Sequence, residues 1–438
     1  MFQEKIIDLL NKSHSAFNVV NNLKEELLKN GFIELDEKES FNLENNKNYF
    51  VIRNNSSLIA FKYKKLDKLA FNITASHTDS PSFKLKPQPV LIKNNLIQLN
   101  LEPYGGGIYY SFLDRLLSLA GRVIVSNNKE IKTYIVDLDD LSFTIPSLCI
   151  HMNREVNNSC KLSPAKDLIP VIGIGDNFDF NEYLLNYLLQ KGKIKAKDKN
   201  EVLSFDLYIY NKDKASLCGI NKEFLSSPRL DDLSACYSSF LGFLRSSDFN
   251  RLPLFAAFDN EEVGSLTKQG ANSTFLKETI QRIVLASSCL KDYMKVAANS
   301  FMLSIDNGHA NHPNYMEFTD KTTKVNLGEG IVIKYNANQS YTSDSFSSSL
   351  VKKLCIDNNL KYQEYTNRSD LRGGSTLGNL SNSEISLTTV DIGLPQLAMH
   401  SSNELCSVSD LNDMVCLVEK FFSKKFDLVS DGIIFNED

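Results

Sequence analysis

The sequence predicts an α/β fold with a mainly parallel sheet, interrupted by an inserted β-rich unit. Two observations predict it. Four short apolar runs, "KLAFNITAS", "LPLFAAF", "SFMLSI" and "ISLTTVDIG", read as buried strands, and helical patterns such as "DLSACYSSFLGFLRSS" lie among them. Between them, from about Pro87 to Asn221, the pattern changes to short β-like runs: "VLIKNNLIQLN", "GRVIVSN", "KTYIVDL" and "EVLSFDLYIYN". Turn signals ("YGGG", "SNNKE", "NKDK") separate them. The division is therefore 1–87, 88–221 and 222–438, with the first and last parts forming one α/β unit.

Taken in order, residues 2–31 read as one helix. Ile6, Leu9, Leu10, Phe17, Val20, Leu23 and Leu27 keep helical spacing, and Gly31 is the stop. The first core strand runs into "SHTDSP", which carries His77. The second runs into "FDNEEVGS", which sets Glu261 beside Glu262. The third ends at Asp306. The last leads to "PQLAMHSS" and His400. "SPRLDDLSA" places Asp231 and Asp232 just ahead of a helical pattern.

The bulk numbers narrow the function. At 438 residues and 42% hydrophobic, the chain can bury a sizeable core. A net charge of −5 gives no electrostatic footprint for nucleic acid or an anionic membrane. The N-terminus carries charges inside its apolar stretch, unlike a signal peptide, and no charge-free run of eighteen apolar residues exists. Eight scattered cysteines without a C-x-x-C pair suit reduced thiols in a cytoplasm better than a disulfide framework or a cysteine-based zinc site.

In open α/β sheets, ligands gather outside the carboxyl ends of the strands. His77, Asp231 or Asp232, Glu261, Glu262, Asp306 and His400 all fall at such ends. Imidazole and carboxylate together suit zinc, cobalt or manganese, and two histidines with three carboxylates can hold two ions, one carboxylate bridging. A shared water then becomes a hydroxide nucleophile. One of the adjacent glutamates would ligate; the other would move protons. Asp79, two residues after His77, is placed to hold the other ring nitrogen of His77. Each residue has a plainer reading too. An aspartate of "RLDD" is a common helix N-cap, and Asp306-Asn307-Gly308 reads as a turn. The runs "YGGG" and "GGSTLG" lack phosphate-loop spacing, and the first reads as a tight turn. H-E-x-x-H, G-x-S-x-G, G-x-x-x-x-G-K-[ST] and G-x-G-x-x-G are all missing.

The motifs "SHTDSP", "RLDDLSACYSS", "FDNEEVGS", "HANHPNY", "KYNANQSY", "GGSTLG" and "PQLAMHS", in this order, resemble the aspartyl aminopeptidase family of dinuclear-zinc exopeptidases. "NREVN", "YGGGIYYSFLDRLLSLAGRV" and "GFIELDE" extend the likeness over nearly the whole chain. The resemblance implies a zinc-exopeptidase catalytic domain interrupted by a β-rich dimerisation domain, a tetrahedral dodecamer, and release of single residues from peptide N-termini. It implies two metals, with His77, Asp231 and Asp306 on one, and Glu262, His400 and the shared Asp231 on the other. It makes Glu261 the general base and acid and Asp79 the partner of His77. It places His309, Lys334 and Tyr341 near the substrate and His151 in a neighbouring subunit's site. "RLDD" stands where Asp-Asn is usual, Asn403 where an arginine is common, and "NRSDLRGGST" where a proline and a cysteine are usual. These departures flank the substrate, so the expected preference is acidic or broader. A dinuclear deacylase and a non-catalytic assembly protein are the alternatives.

Overall fold

The structure, a computed structural model, describes residues 2–196, 199–287, 293–371, 373–374 and 376–436. Its N-terminus departs from the single predicted helix. Two helices, Phe2–Leu10 and Ala16–Lys29, are separated by a break. Ser13 Oγ donates to Leu9 O (2.7 Å), the local side-chain bonding that competes with helix propagation. His14 turns outward to Asp137 (2.6 Å) and stacks on Tyr210.

Nine strands form the main sheet, in the order Ile33–Leu35, Lys47–Arg53, Ser57–Tyr63, Leu252–Phe258, Phe71–His77, Phe301–Ile305, Thr388–Gly393, Ile331–Tyr335 and Tyr362–Thr366. The middle four, from Leu252–Phe258 to Thr388–Gly393, are mutually parallel. They are the four apolar runs read from the sequence. Sheets covered on both faces need such unbroken runs. Helices Leu230–Arg245 and Val408–Ser423 cover one face, and Phe275–Ala286 helps cover the other. The register brings Phe258 opposite His77 and Ile305 opposite Ile392, so the carboxyl ends open at one level.

A second, six-stranded antiparallel sheet joins Ile131–Asp137, Leu117–Ser126, Glu201–Asn211, Ser82–Lys93, Leu96–Tyr104 and Val171–Ile174. It has its own core around Phe83, Leu99, Leu119 and Leu207. The helix Phe180–Gln190, inside the stretch read as β-rich, packs on that core and is capped by Asp179 (2.9 Å to the Glu182 N–H). The expected boundary at 87/88 falls inside the strand Ser82–Lys93.

A third, five-stranded sheet runs Ser216–Cys218, Phe224–Ser227, Glu404–Ser407, Pro395–Leu397 and Gly308–His309. It lies at the mouth of the main sheet. The chain leaves it or enters it beside Asp231, Asp306 and His400.

Candidate metal centre

The strand Phe71–His77 ends on a buried His77. Its Nδ1 lies 3.1 Å from the backbone oxygen of Asp79 and 3.4 Å from Oδ1 of the same residue. The Asp79 backbone is thus nearer than the carboxylate expected to hold the ring. Nε2 is left facing inward, 3.8 Å from Asp231 Oδ1 and 3.9 Å from Asp306 Oδ1. Across the site, His400 Nε2 lies 3.2 Å from Asp231 Oδ2 and 3.6 Å from Glu262 Oε1. Asp231 therefore presents one carboxylate oxygen to each histidine.

Three sets of donor atoms, each drawn within 4.8 Å of one another, emerge: His77 with Asp231, Asp232 and Asp306; His77 with Glu261 and Glu262; and Asp231 with Glu262 and His400. The second aspartate of "RLDD" has a separate task, since Asp232 Oδ2 accepts the His77 backbone N–H at 3.2 Å. Asp231 (φ −82°, ψ 111°) and Asp232 (φ −108°, ψ 15°) have non-helical backbone ahead of the regular helix, and their carboxylates point into the cluster rather than capping the helix.

The electrostatics ask for cations. Asp231, Asp232 and Asp306 are buried, and Glu262 lies deep among them. Burial, with Asp306 and Asp231 close by, pushes the Asp232 carboxyl well up. Burial raises Glu262 likewise, with Asp231 adding to the push. Burial opposes a charge on His400, yet Asp231 and Glu262 push it up to about 10. Asp231 Oδ1, Asp232 Oδ1 and Glu262 Oε1 have no hydrogen-bond partner. Buried oxygens of this kind are costly unless something fills the role. Oxygen and imidazole donors in this density fit divalent zinc-like ions.

The two glutamates sit in one turn with different surroundings. Asn260, in a left-handed conformation, starts a short 3-10 turn at Glu261–Val263. Asp79 seats that turn, its Oδ1 accepting the Glu261 N–H (3.1 Å) and its Oδ2 the Glu262 N–H (3.2 Å). Glu262 faces His400. Burial pushes Glu261 up to about 8, Asp306, Asp79 and Asp231 adding to it and His77 opposing.

Several site residues were not anticipated from the sequence. Tyr104 Oη donates to Asp79 Oδ2 (2.7 Å) and accepts from Asn260 Nδ2 (2.8 Å). Gly105 is in a left-handed conformation, and a Cβ there would lie 3.1 Å from Glu262 Cβ. The Gly106 carbonyl faces His400 Nδ1 at 3.1 Å, which leaves Nε2 for the site. "YGGG" is therefore part of the centre and not a free turn. Its tyrosine and three glycines are the signal. Tyr104→Phe is expected to lower kcat/KM about tenfold with metal content unchanged, since a hydrogen bond to a charged group is worth roughly 1.5–3 kcal/mol. Steady-state kinetics beside metal analysis check this.

The remaining expected residues surround the centre or stand apart. Lys334 is buried, and its Nζ donates to Asn307 O (2.6 Å) and lies 3.8 Å from Asp306 Oδ2. The surface-lysine reading is thereby excluded. Tyr341 is buried with its ring under Lys334 (5.5 Å). His309 Nε2 meets Tyr365 Oη at 2.9 Å. A pocket of about 180 Å³ adjoins it, lined in part by Phe318, Val325, Tyr365 and Asn367. Asp391 ties the neighbouring loops together, accepting from Thr342 Oγ1 and Thr376 Oγ1 (both 2.6 Å). Ser375 of "GGSTLG" lies outside the described residues. His151 sits in an exposed stretch of the six-stranded unit and joins none of the clusters.

A family model described as aminopeptidase I zinc metalloprotease (M18) matches residues 9–422. A "Probable M18 family aminopeptidase 2" of Clostridium acetobutylicum is 41% identical over 434 residues, covering 98% of this chain and 99% of its own. A chain in the cryo-EM structure of the Ape4 and Nbr1 complex superposes with a TM-score of 0.91 at 34% identity, covering 96% of this chain and 85% of that one. The S. cerevisiae mApe1 dodecamer gives a TM-score of 0.80 at 26% identity, covering 96% and 95%.

Proposed function

The chain belongs to the aminopeptidase I zinc metalloprotease family, M18, and from that premise we propose how its residues divide the work of a metallo-aminopeptidase. The centre would hold two divalent ions, zinc by preference, with cobalt or manganese as substitutes. His77, Asp231 and Asp306 take one; Glu262, His400 and the same Asp231 take the other. The observation that carries this is Asp231, with Oδ1 toward His77 and Oδ2 toward His400. When bound, such ions polarise a peptide carbonyl and acidify water.

The protein's own groups do the rest. Glu261 takes a proton from the attacking water and delivers it to the leaving amine. Asp79 fixes both Glu261 and His77. His309 and Tyr341 lie on the substrate side, where a donor meets the developing oxyanion. Lys334 is committed to Asn307 and Asp306. Arg368 pairs with Asp370, and Asn403 turns to Ser226 Oγ (2.8 Å). With these groups engaged, the N-terminal residue preference is broader than acidic.

The six-stranded unit, whose first strand already starts at Ser82 rather than at 88, is the dimerisation domain, and the parts of the chain before and after it form the catalytic domain. Leu148, Ile150 and Met152, exposed around His151, give it an apolar subunit surface. Across that surface His151 enters a neighbour's site, within a dodecamer like that of mApe1. The cytoplasm is the proposed location, and among the described residues no helix is long and apolar enough to cross a membrane.

Aminoacyl p-nitroanilides of Asp, Glu, Leu and Ala, assayed with and without chelator and added zinc, cobalt or manganese, test the reading. Metal-dependent cleavage is expected, with Leu or Ala at least equal to Asp and Glu. Their N-acetylated forms are expected to stay intact. A strict preference for Asp and Glu would overturn the broad-specificity reading, and cleavage of the acetylated forms would favour a deacylase.

A further inference from the structure

The geometry points to Glu404 as a positioning residue that holds the second metal position together by gripping the backbones of Asp231 and His400. It is fully enclosed and belongs to the five-stranded sheet. Its Oε2 accepts the Asp231 N–H at 3.0 Å, and its Oε1 accepts the His400 N–H at 2.6 Å. A single carboxylate thus joins two proposed ligands 169 residues apart in sequence. Gln396 Nε2 is the third donor, 3.4 Å from Oε1.

The grip extends to the other metal position. Asn307 Nδ2 donates to Gln396 Oε1 (3.0 Å), to Leu230 O and to Ser234 Oγ (both 2.8 Å). Asn307 directly follows Asp306, and Leu230 directly precedes Asp231. Glu404, Gln396 and Asn307 are all buried. Together they tie the segments that carry Asp231, Asp306 and His400. Sheet pairing sets the same spacing: Ser227 pairs with Glu404, and His309 with Gln396.

His400 has the greatest need of such a hold. It adopts φ +64°, a left-handed conformation that disfavours a residue with a Cβ. Only a surrounding that over-determines the backbone keeps it there. Gly106 holds the ring and Glu404 holds the N–H. A carboxylate suits Glu404's place, because its three hydrogen-bond partners, the Asp231 and His400 N–H groups and Gln396 Nε2, are all donors. Glutamine would turn an N–H₂ toward a backbone N–H.

This inference rests on the proposal that Asp231 and His400 share an ion. Its test is zinc competition against a chromogenic chelator, with ions per chain counted after dialysis, on full-length wild type, Glu404→Gln, Glu404→Asp and His400→Ala. Wild type is expected to hold two ions and His400→Ala one. Glu404→Gln is expected to bind the second ion about 10- to 100-fold more weakly and the first nearly normally. Its kcat at limiting zinc should fall and recover with excess zinc, while Glu404→Asp should lie between the two. If Glu404→Gln fails to fold, Glu404→Asp, which keeps both oxygens, carries the measurement. Wild-type affinity for both ions in the folded variant, with only a lower melting temperature, overturns the inference. One ion in wild type, or two in His400→Ala, overturns the two-ion reading and the inference with it.

Discussion

Glu261→Gln is expected to lower kcat about 100- to 10,000-fold while fold and metal content stay as in wild type. The substitution keeps the shape of the side chain and removes its ability to take a proton. The turn survives because its anchors are the backbone N–H groups of Glu261 and Glu262 on Asp79. The environment already suits proton transfer. Without ions, burial, with Asp306, Asp79 and Asp231 adding to it and His77 opposing, pushes Glu261 up to about 8, and bound cations would lower it toward the proton-accepting form. Single-turnover kinetics with metal counting on the same sample check the prediction. Turnover within a few-fold of wild type, with both ions present, would remove Glu261 from the proton-transfer role and move attention to His309 or Tyr341.

Stripping the metal is expected to abolish hydrolysis and to destabilise the protein more at pH 8 than at pH 5.5. In the metal-free centre, Glu261 is pushed from 4.5 up to about 8, and Glu262, Asp232 and Asp306 also move up. An acid with a raised folded pKa holds a proton that the unfolded chain has already lost. Its stabilising effect is full below the unfolded value and fades as pH climbs to about 8. His400, raised from 6.5 to about 10, works in the same direction, because its bound proton is lost as pH rises toward 10. Asp231 is lowered and works the other way, but its window lies below 3.8. Protons thus stand in for the cations in the empty centre. The gap in melting temperature between metal-loaded and chelated protein should widen by on the order of 5 °C between pH 5.5 and pH 8. Scanning calorimetry at both pH values checks it; a gap that stays constant or narrows would contradict the assignment of these carboxylates to the ions.

The sequence carries the main sheet plainly because its central strands are buried on both faces, and unbroken apolar runs are what such strands require. His77, Asp306 and the two glutamates were legible for the same reason, each standing where a run ends. Resemblance to known motifs sorted them into ligand sets, which spacing alone could not do. Tyr104 and Glu404 were not legible. Tyr104 reaches Asn260 across 156 positions, and Glu404 reaches Asp231 across 173. Neither follows an apolar run into the crevice; both arrive on strands of other sheets. The break in the N-terminal helix has a local cause in the "SHS" cluster at 13–15. Apolar spacing continued across it and concealed it.

The six-stranded sheet lends Tyr104, Gly105 and Gly106 to a centre whose other parts lie before and after it in the chain. Synthesis therefore delivers His77 first, the supporting loop next, and His400 and Glu404 last. The centre is therefore complete only when the segments before and after the six-stranded unit, and that unit itself, have met. Proteolytic competence is thus a report on completed assembly.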